Sequence, residues 1–572
     1  MSVDNAGQPV AAASNPFSPT AIAQVFEPDI GVVTIETDSV RRATRCLADY
    51  LTMTTTGEGP VHATVSGNIV AIIGDHGLGK THLLMDLVRY ARGAPGSTTF
   101  CICLDKTPDT FLALYLRFVQ KLGLCAVRAL VSECYADVVT ASLQESWLTT
   151  DLAQSLRNRR VEPSDVVERL GLMESVLLPK VQQVLTEITG NESCGIALAL
   201  LLRPGFDEAV WKWLRGGQPD PILVERGVVA AVDTEITALA AMGALVSLCG
   251  RIPHRLILMI DDVDTLWSRS NRPQSDTSTA LRNLLTLCIG SGTFLVLAGS
   301  PDFLQVMPCD VRQLVSRVIV MSGLSSAQTC RLIEHLQQRS VDKKTLEPFT
   351  RETVDYIVRL TRGTARTVIR LCYHLHHQAA YGQTNVTAEM VRDVVREHLV
   401  PMSNSMVTAE VRRRLHTLRL AYHHNHLLGP ALESLVDYWV PAGDSDAGCA
   451  VLITGSVLEN GEVEDLIYRV SAVRRTAPDS KLLLVVNGIL PDDLATRVSS
   501  IFSTDPVIYD SSSFAEEFDA ALAAIVQRRQ MSSLLEPLWR EIGGIRRELR
   551  QLVDVVSSIE PGGVRRATGE PL

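Results

Sequence analysis

Two kinds of segment alternate along the chain, distinguished by the spacing of their hydrophobic residues. Helical spacing marks VRRATRCLADYL and THLLMDLVRYARG, which flank the first of several short, almost wholly apolar runs. Such runs are typical of buried parallel strands. They are NIVAIIG (68–74), TFCICLD (99–105), RLILMIDDVDTLW (255–267), TFLVLAGS (293–300) and RVIVMSGL (317–324). Apolar strands that alternate with helices predict an α/β fold, doubly wound around a parallel sheet.

Two longer stretches have helical periodicity without strands. The stretch at 107–250 is longer than a crossover between parallel strands requires, so we predict a helical insertion there. Its most apolar part, at 236–249, has 14 residues. Because a membrane span needs roughly 20 residues, we predict a buried helix instead. A helical lid is predicted at 331–398.

The C-terminal part has its own pattern. CAVLITG (449–455), KLLLVVNG (481–488) and PVIYD (506–510) alternate with helical segments and predict a second, small α/β domain. The preceding stretch at 411–439 is predicted to be helical. From Leu535 to Val556, apolar residues repeat at spacings of three and four, which predicts an amphipathic or coiled-coil helix. Pro537 and the Gly543–Gly544 pair weaken a coiled coil, since each interior glycine costs about 1 kcal/mol relative to alanine.

Composition and charge narrow the class of protein. With 572 residues the chain exceeds the roughly 250 to 300 residues of a single core, so several domains are expected. Its formal charge is 54 minus 64, or −10, so any DNA contact must be local. The 12 cysteines show no CxxC pairs or metal-ligand spacing, and buried thiols in a reducing cytoplasm explain them best. The N-terminus lacks the basic and apolar regions of a signal peptide, and we expect a disordered lead.

The loop after the first predicted strand carries the most specific chemistry. Gly74, four residues, and then Gly79-Lys80-Thr81 fit the GxxxxGK[ST] pattern of a phosphate-binding loop. Backbone N–H groups at a helix N-terminus offer a triphosphate oriented donors and the positive end of the helix dipole. We predict that ATP binds to Gly74, Asp75, His76, Gly77, Leu78, Gly79, Lys80, Thr81 and His82.

A second set of residues completes the predicted site. Lys80 is expected to reach the outer phosphates, and the Thr81 hydroxyl to bind Mg2+. Asp261 and Asp262 end a central apolar strand. We expect Asp261 to hold the magnesium ion through water and Asp262 to orient the attacking water. The sequence therefore predicts an ATP and Mg2+ site at the carboxyl edge of the sheet.

The order of these motifs resembles that of AAA+ ATPases. Over about residues 35 to 398 the chain looks like their origin-recognition branch and the related STAND signalling NTPases. The resemblance implies that Ser300 is the sensor-1 residue, Arg366 of GTAR the sensor-2 arginine, and Arg317 an arginine finger acting on a neighbouring subunit, with Arg312 a competitor. Many AAA+ motors have Asp-Glu at the double aspartate. The Asp-Asp pair resembles the STAND pattern and implies a slow switch rather than a fast motor.

The predicted organisation combines the periodicity with this resemblance. The segments are a disordered lead at 1–30, a P-loop ATPase core at 31–106 and 251–330, a helical insertion at 107–250, a helical lid at 331–398, a linker at 399–410, a small α/β domain at 411–530, a C-terminal amphipathic helix at 531–560 and a tail at 561–572.

Several residues also have a plainer interpretation. An alternative interpretation of Arg317 and Arg366 is that both are ordinary surface cations. An alternative interpretation of Asp264 is that it caps a following helix. The histidines of HHNH (423–426) lack further ligands at metal spacing, so a polar helix face is favoured.

The C-terminal half offers two further alternatives. The basic residues of VRRRLHTLRL (411–420) suit DNA phosphates, but we favour a solvated helix beside an acidic neighbour domain. The second α/β domain shows no Asp with a following Glu-x-Lys, as a restriction-type nuclease needs, and Asp444, Asp446 and Glu459 are badly placed for it. A degenerate nuclease-like or Rossmann-like docking module is the favoured interpretation.

Three functional hypotheses remain. The favoured one is a cytoplasmic ATPase switch that forms a homo-oligomer and recruits or regulates a protein partner, without a membrane anchor, in a bacterial defence or DNA-related role of the kind the resemblance implies. The second is a DNA-loading or remodelling ATPase. The third is a scaffold that binds ATP without turnover.

Overall fold

The structure is a computed structural model of the chain. It describes residues 15–21, 34–53, 68–94, 99–105, 110–144, 174–251, 254–266, 275–301, 303–307, 309–341, 345–382, 384–399, 403–430, 432–441, 448–510 and 513–525. These residues form two compact units: Met1–Val354 with Gly363–Tyr381, and Asp355–Arg362 with Gly382–Leu572. The predicted C-terminal helix at 531–560 and residues Asp444 and Asp446 lie outside the described part.

The first unit contains a five-stranded sheet in which every pairing is parallel. Its order is β2-β3-β4-β1-β5. The strands are β1 Ile69–Ile73, β2 Thr99–Leu104, β3 Arg255–Ile260, β4 Phe294–Gly299 and β5 Arg317–Val320. All five lie within the apolar runs that predicted them, and the predicted α/β sheet is confirmed.

Helices cover both faces of this sheet. Successive residues of β3 enter different cores: Leu258 packs with the helices that follow β2, while Met259 packs with Leu83 and Leu84 on the opposite face. The described helices that precede β5 and lie outside the stretch between β2 and β3 are Asp38–Met53, Lys80–Gly93, Ser275–Gly290, Phe303–Val306 and Cys309–Arg312. The sheet is therefore doubly wound, as predicted.

The described part of the long stretch between β2 and β3 is helical and packs in the same core as one face of the sheet. Its helices are Phe111–Leu122, Leu124–Gln144, Glu174–Thr189, Glu192–Leu200, Asp207–Leu214, Pro221–Val224 and Glu235–Cys249. The last of these contains the long apolar run and is largely buried, as predicted, and its Thr234 N-cap forms a reciprocal box with Thr237. No described helix has the length and hydropathy of a membrane span.

Four helices follow β5, where the lid was predicted. They are Ser326–Val341, Arg351–Thr361, Ala365–Gly382 and Ala388–His398. Gly363 turns the chain between the second and third with a φ of 68°. A Cβ at Gly363 would lie 2.2 Å from the carbonyl oxygen of Leu324, whose N–H donates to Gly363 O at 2.8 Å. Only glycine fits this position.

Replacing Gly363 by alanine is expected to lower the free energy of unfolding by about 2 to 5 kcal/mol, because a left-handed backbone cost adds to overpacking against Leu324. Urea titration followed by circular dichroism measures it. Gly190→Ala is the matched control, since Gly190 has a φ of 62° but nothing within 4 Å of its would-be Cβ. Equal destabilisation of both variants would contradict the contact argument.

The second unit contains a mixed sheet of order β10-β9-β8-β7-β6. The strands β6, β7 and β8 pair antiparallel, whereas β8, β9 and β10 pair parallel. Their bounds are β6 His423–Leu427, β7 Leu435–Pro441, β8 Gly448–Thr454, β9 Lys481–Val486 and β10 Val507–Ile508. The helices after the linker are Asn404–Thr417, Asn460–Thr476, Asp492–Ser499 and 514–525. This is the predicted second α/β domain.

Two predictions for this domain were wrong. The helix expected through 411–439 ends at Thr417 and is followed by β6 and β7, so the HHNH histidines lie on an exposed edge strand rather than on a helix. The predicted linker at 399–410 contains the start of the helix at Asn404, whose Val407, Val411 and Leu415 are buried. An exposed edge strand lacks the apolar alternation that would have marked it.

Among the described residues, no group of three or more His, Cys, Asp or Glu side chains is placed to hold a metal ion.

The basic helix beside the linker makes ion pairs within its own domain. Arg414 pairs with Asp519 on the helix at 514–525, and Arg413 pairs with Glu410 at 2.6 Å. On β7, the Asp437 carboxylate accepts a hydrogen bond from Ile453 N–H at 2.7 Å. These acidic partners lie in the helix's own domain rather than in the neighbouring domain that the favoured interpretation expected.

Candidate nucleotide site

The phosphate-binding loop joins the carboxyl end of β1 to the helix Lys80–Gly93. Gly74 N–H donates to Gly299 O at 3.2 Å, which fixes the start of the loop against the end of β4. Gly77 and Gly79 have φ values of 84° and 101°, which glycine adopts without steric cost. Gly79 is the N-cap residue of the helix. The loop therefore places free helix N–H groups at the sheet edge, as an anion site requires.

Lys80 folds back over this loop. Its Nζ donates to the carbonyl oxygens of Gly74 at 2.5 Å and Asp75 at 3.1 Å. Burial lowers the pKa of Lys80, and the nearby carboxylates, Asp264 first among them, oppose that shift. The half-buried ammonium group lies over the loop, where it is well placed to bind a phosphate.

Thr81 and Asp261 form the pair predicted to bind magnesium. The Thr81 hydroxyl donates to Asp261 Oδ2 at 2.5 Å, and Asp261 Oδ1 accepts a hydrogen bond from Asp262 N–H at 3.0 Å. Asp261 is only 6% exposed, and burial raises the pKa of its carboxyl while the hydrogen bond from Thr81 lowers it. Hydroxyl and carboxylate oxygens are hard ligands that suit Mg2+. The residues present thus fit the ion.

Asp262 follows in a strained conformation. Its φ is 57°, in the left-handed region that side-chain-bearing residues rarely adopt. Such strain costs about 1 to 3 kcal/mol and persists where the surroundings enforce it, often at functional sites. The sharp turn after β3 places Asp261 and Asp262 in different surroundings, so Asp262 is less buried than Asp261.

Ser300 and Asp264 meet beside the loop. Ser300 follows β4, and Asp264 lies in a 3-10 turn, Val263–Leu266, after β3. The Asp264 carboxylate accepts hydrogen bonds from the Ser300 hydroxyl at 2.6 Å and from Ser300 N–H at 2.8 Å. The interpretation of Asp264 as a helix cap missed this contact. Its signal was the carboxylate two residues beyond Asp262 in the same motif.

The lid also reaches the loop. Arg366 N–H donates to Gly77 O at 3.0 Å, and a Cβ at Gly77 would lie 3.0 Å from Arg366 Cβ and 3.1 Å from Thr364 Cγ2. The GTAR segment therefore packs directly on the phosphate-binding loop.

The remaining predicted loop residues have different surroundings. Asp75 and His76 are exposed, and Leu78 packs partly on the hydrophobic core. His82 Nε2 lies 3.2 Å from the Thr34 hydroxyl, which also donates to Asp86 at 3.0 Å. His82 thus contacts the segment before the first helix.

Arg317 lies away from the loop of its own chain. It is the first residue of β5, whereas the loop follows the carboxyl end of β1, and these two strands are parallel. Its guanidinium is 3.2 Å from Cys46 Sγ and 3.7 Å from Asp49. Both Arg317 and Arg312 are exposed. The structure does not bring Arg317 to the nucleotide site of its own chain.

The chain is similar to several solved structures at low sequence identity. Cdc6p from Pyrobaculum aerophilum is 13% identical, with 69% of this chain and 79% of that chain covered and a TM-score of 0.35. The ORC2 protein of Aeropyrum pernix is 14% identical, with 68% and 76% covered and a TM-score of 0.36. The RuvB Holliday junction branch migration motor of Thermotoga maritima is 9% identical, with 69% and 80% covered and a TM-score of 0.29. No protein-family model matches the chain, and neither does any curated protein.

The parallel sheet has the strand order β2-β3-β4-β1-β5, and the phosphate-binding loop follows β1, which lies between β4 and β5. This sheet holds the residues of the nucleotide site in place.

Proposed function

We propose that this chain is an AAA+/STAND-type ATPase switch. It binds ATP with Mg2+, hydrolyses it slowly, and in the ATP state assembles or changes conformation to recruit or regulate a protein partner. The observation that carries the proposal is the Thr81–Asp261 hydrogen bond beside the Gly74–Lys80 loop. It places two oxygen ligands next to an anion site.

Binding follows from the charges at the loop. Backbone N–H groups of the loop and the helix N-terminus donate to the phosphates, and Lys80 exchanges its carbonyl partners for phosphate oxygens. Thr81 and Asp261 hold the magnesium ion, which neutralises phosphate charge when bound.

Hydrolysis needs a group that orients water. The Asp262 carboxylate accepts a hydrogen bond from an O–H of the attacking water and so orients it. An aspartate stands about one methylene further back than the glutamate of many AAA+ motors, so we expect slow turnover.

The lid supplies the switch. Arg366 N–H donates a hydrogen bond directly to Gly77 O. A change in the loop on nucleotide binding therefore changes the position of the helix Ala365–Gly382. The Arg366 side chain is assigned to the phosphates as sensor 2. Arg317, exposed at the start of β5, is assigned to the nucleotide of a neighbouring subunit.

The setting of the protein follows from its thiols and its charges. All twelve cysteines are free, which fits the reducing cytoplasm that we assign. The DNA-loading alternative gains nothing from the basic helix, because Arg413 and Arg414 are paired with carboxylates of their own domain. A protein partner is therefore the favoured target of the switch.

Replacing Thr81 by alanine is expected to remove the magnesium dependence of ATP binding. In wild-type protein, chelating the ion should weaken ATP binding by about 10-fold, whereas the variant should show the weaker affinity with or without it. Titration calorimetry with ATP in magnesium and in chelator measures this. Thr286→Ala, which changes an exposed helical threonine, should behave as wild type. Full magnesium dependence in Thr81→Ala would contradict the assignment.

A further inference from the structure

Asp264 connects three parts of the nucleotide site. It lies in the turn after β3, and both of its carboxylate oxygens accept hydrogen bonds from Ser300, the residue after β4. The preceding residue, Gly299, accepts a hydrogen bond from Gly74 N–H at the start of the phosphate-binding loop. One carboxylate thus fixes Ser300 beside the loop.

The atoms around Gly299 are closely packed, so they restrict the position of the Asp264 carboxylate. A Cβ at Gly299 would lie 2.8 Å from Phe303 Cδ1, 3.0 Å from Val263 Cγ2 and 3.2 Å from Asp264 Oδ2. Any larger residue would push the carboxylate away from the backbone of Ser300. The absence of a side chain at 299 therefore permits the two short hydrogen bonds.

The hydrogen-bonding capacity of Ser300 decides what it can offer a ligand. A serine hydroxyl has one O–H donor and two acceptor lone pairs. In Ser300 the donor is given to Asp264 at 2.6 Å, so its remaining capacity is to accept. Phosphate oxygens are acceptors as well, whereas a water molecule can donate. Ser300 is thereby suited to a water rather than to a phosphate oxygen.

We propose that Asp264 is a positioning residue for the attacking water: it holds the Ser300 hydroxyl so that Ser300 Oγ accepts one O–H of that water. Asp262 accepts the other O–H, and the two acceptors together leave a lone pair of the water oxygen for the γ-phosphorus. This inference rests on the proposed ATPase function. Asp264 is assigned no direct contact with the water or the nucleotide. Because its charge also acts on Lys80, ATP binding is measured alongside turnover.

The test is phosphate release combined with nucleotide binding in a double-mutant cycle. Asp264→Asn keeps the shape of the side chain but replaces one acceptor by an NH2 donor, so Ser300 can no longer donate both its N–H and its O–H to residue 264. An NH2 that donates to Ser300 Oγ also occupies a lone pair that would otherwise accept from the water. We expect kcat to fall about 10- to 100-fold, with the dissociation constant for ATP within about 3-fold of wild type. Ser300→Ala should give a similar loss. The double variant should be no slower than the slower single variant, because both changes remove one interaction.

Two further comparisons complete the test. If Asp264→Asn does not fold, Ser300→Ala tests the same interaction, because it removes the hydroxyl that donates to Asp264 and leaves the carboxylate in place. Asp137→Asn changes a carboxylate that pairs with Arg251 at 2.9 Å in the helical insertion, and it should match wild type.

The outcomes separate this inference from the proposed function. If wild-type protein releases no phosphate, both fall together. If wild type turns over ATP and Lys80→Ala does not, but Asp264→Asn matches wild type, only the inference is overturned. It is also overturned if the losses in the two single variants multiply in the double variant, or if Asp264→Asn weakens ATP binding as much as it slows turnover.

Discussion

Replacing Lys80 by alanine is expected to weaken ATP binding by at least about 100-fold and to abolish turnover. The reason is the position of the ammonium group, which is half-buried and bonded to Gly74 O and Asp75 O above the loop. Hydrogen bonds from a charged donor contribute about 1.5 to 3 kcal/mol each, and two such bonds to phosphate would account for the loss. Titration with a fluorescent ATP analogue measures the affinity.

The control is Lys481→Ala, which removes an exposed lysine at the start of β9. It should bind ATP as wild type does. Circular dichroism of both variants establishes that they are folded. If a folded Lys80→Ala protein bound ATP with wild-type affinity, the loop would not be the nucleotide site.

Replacing Asp262 by asparagine is expected to lower kcat by about 100- to 1,000-fold while leaving ATP binding within about 3-fold of wild type. Asparagine has the same shape and is tolerated in the left-handed region, so the φ of 57° is retained and only the charge is lost. The loss therefore reports the proton acceptor rather than the backbone. Phosphate release at saturating ATP gives kcat, and calorimetry gives the affinity.

The same variant distinguishes a switch from a scaffold. If Asp262→Asn retained the full cellular function while Lys80→Ala lost it, binding alone would suffice, and the scaffold hypothesis would replace the ATPase. Unchanged phosphate release in Asp262→Asn would remove that residue from the hydrolytic machinery.

Much of the parallel sheet and its phosphate-binding loop was predictable because their signals are local. The interior strand β3 is buried on both faces, so Leu256 to Ile260 are continuously apolar, and the aspartates that end it mark the carboxyl edge of the sheet. The loop residues from Gly74 to Thr81 have a fixed spacing because backbone geometry at the helix start demands it. Contacts between distant segments, such as Thr81 with Asp261, follow once the strands are parallel.

The errors arise where the signal is not local. The strand β6 is exposed at a sheet edge, so HHNH carries no alternation and was assigned to a helix. A helix cap was the only interpretation offered for Asp264, as a plainer alternative, because capping and bonding to a residue after another strand look alike in sequence. Its true partner, Ser300, is fixed only by the pairing of β3 with β4. The contact between Gly77 and Arg366 likewise depends on how the lid folds back.

The most direct test of the switch is the mass of the purified protein by light scattering without nucleotide and with ADP, ATP and a slowly hydrolysed ATP analogue. We predict that ATP and its analogue drive a defined oligomer, that ADP does not, and that Arg317→Ala abolishes the assembly while still binding ATP. If the protein binds ATP but its mass is the same with and without nucleotide, the account is contradicted. ATP would then act within a single chain.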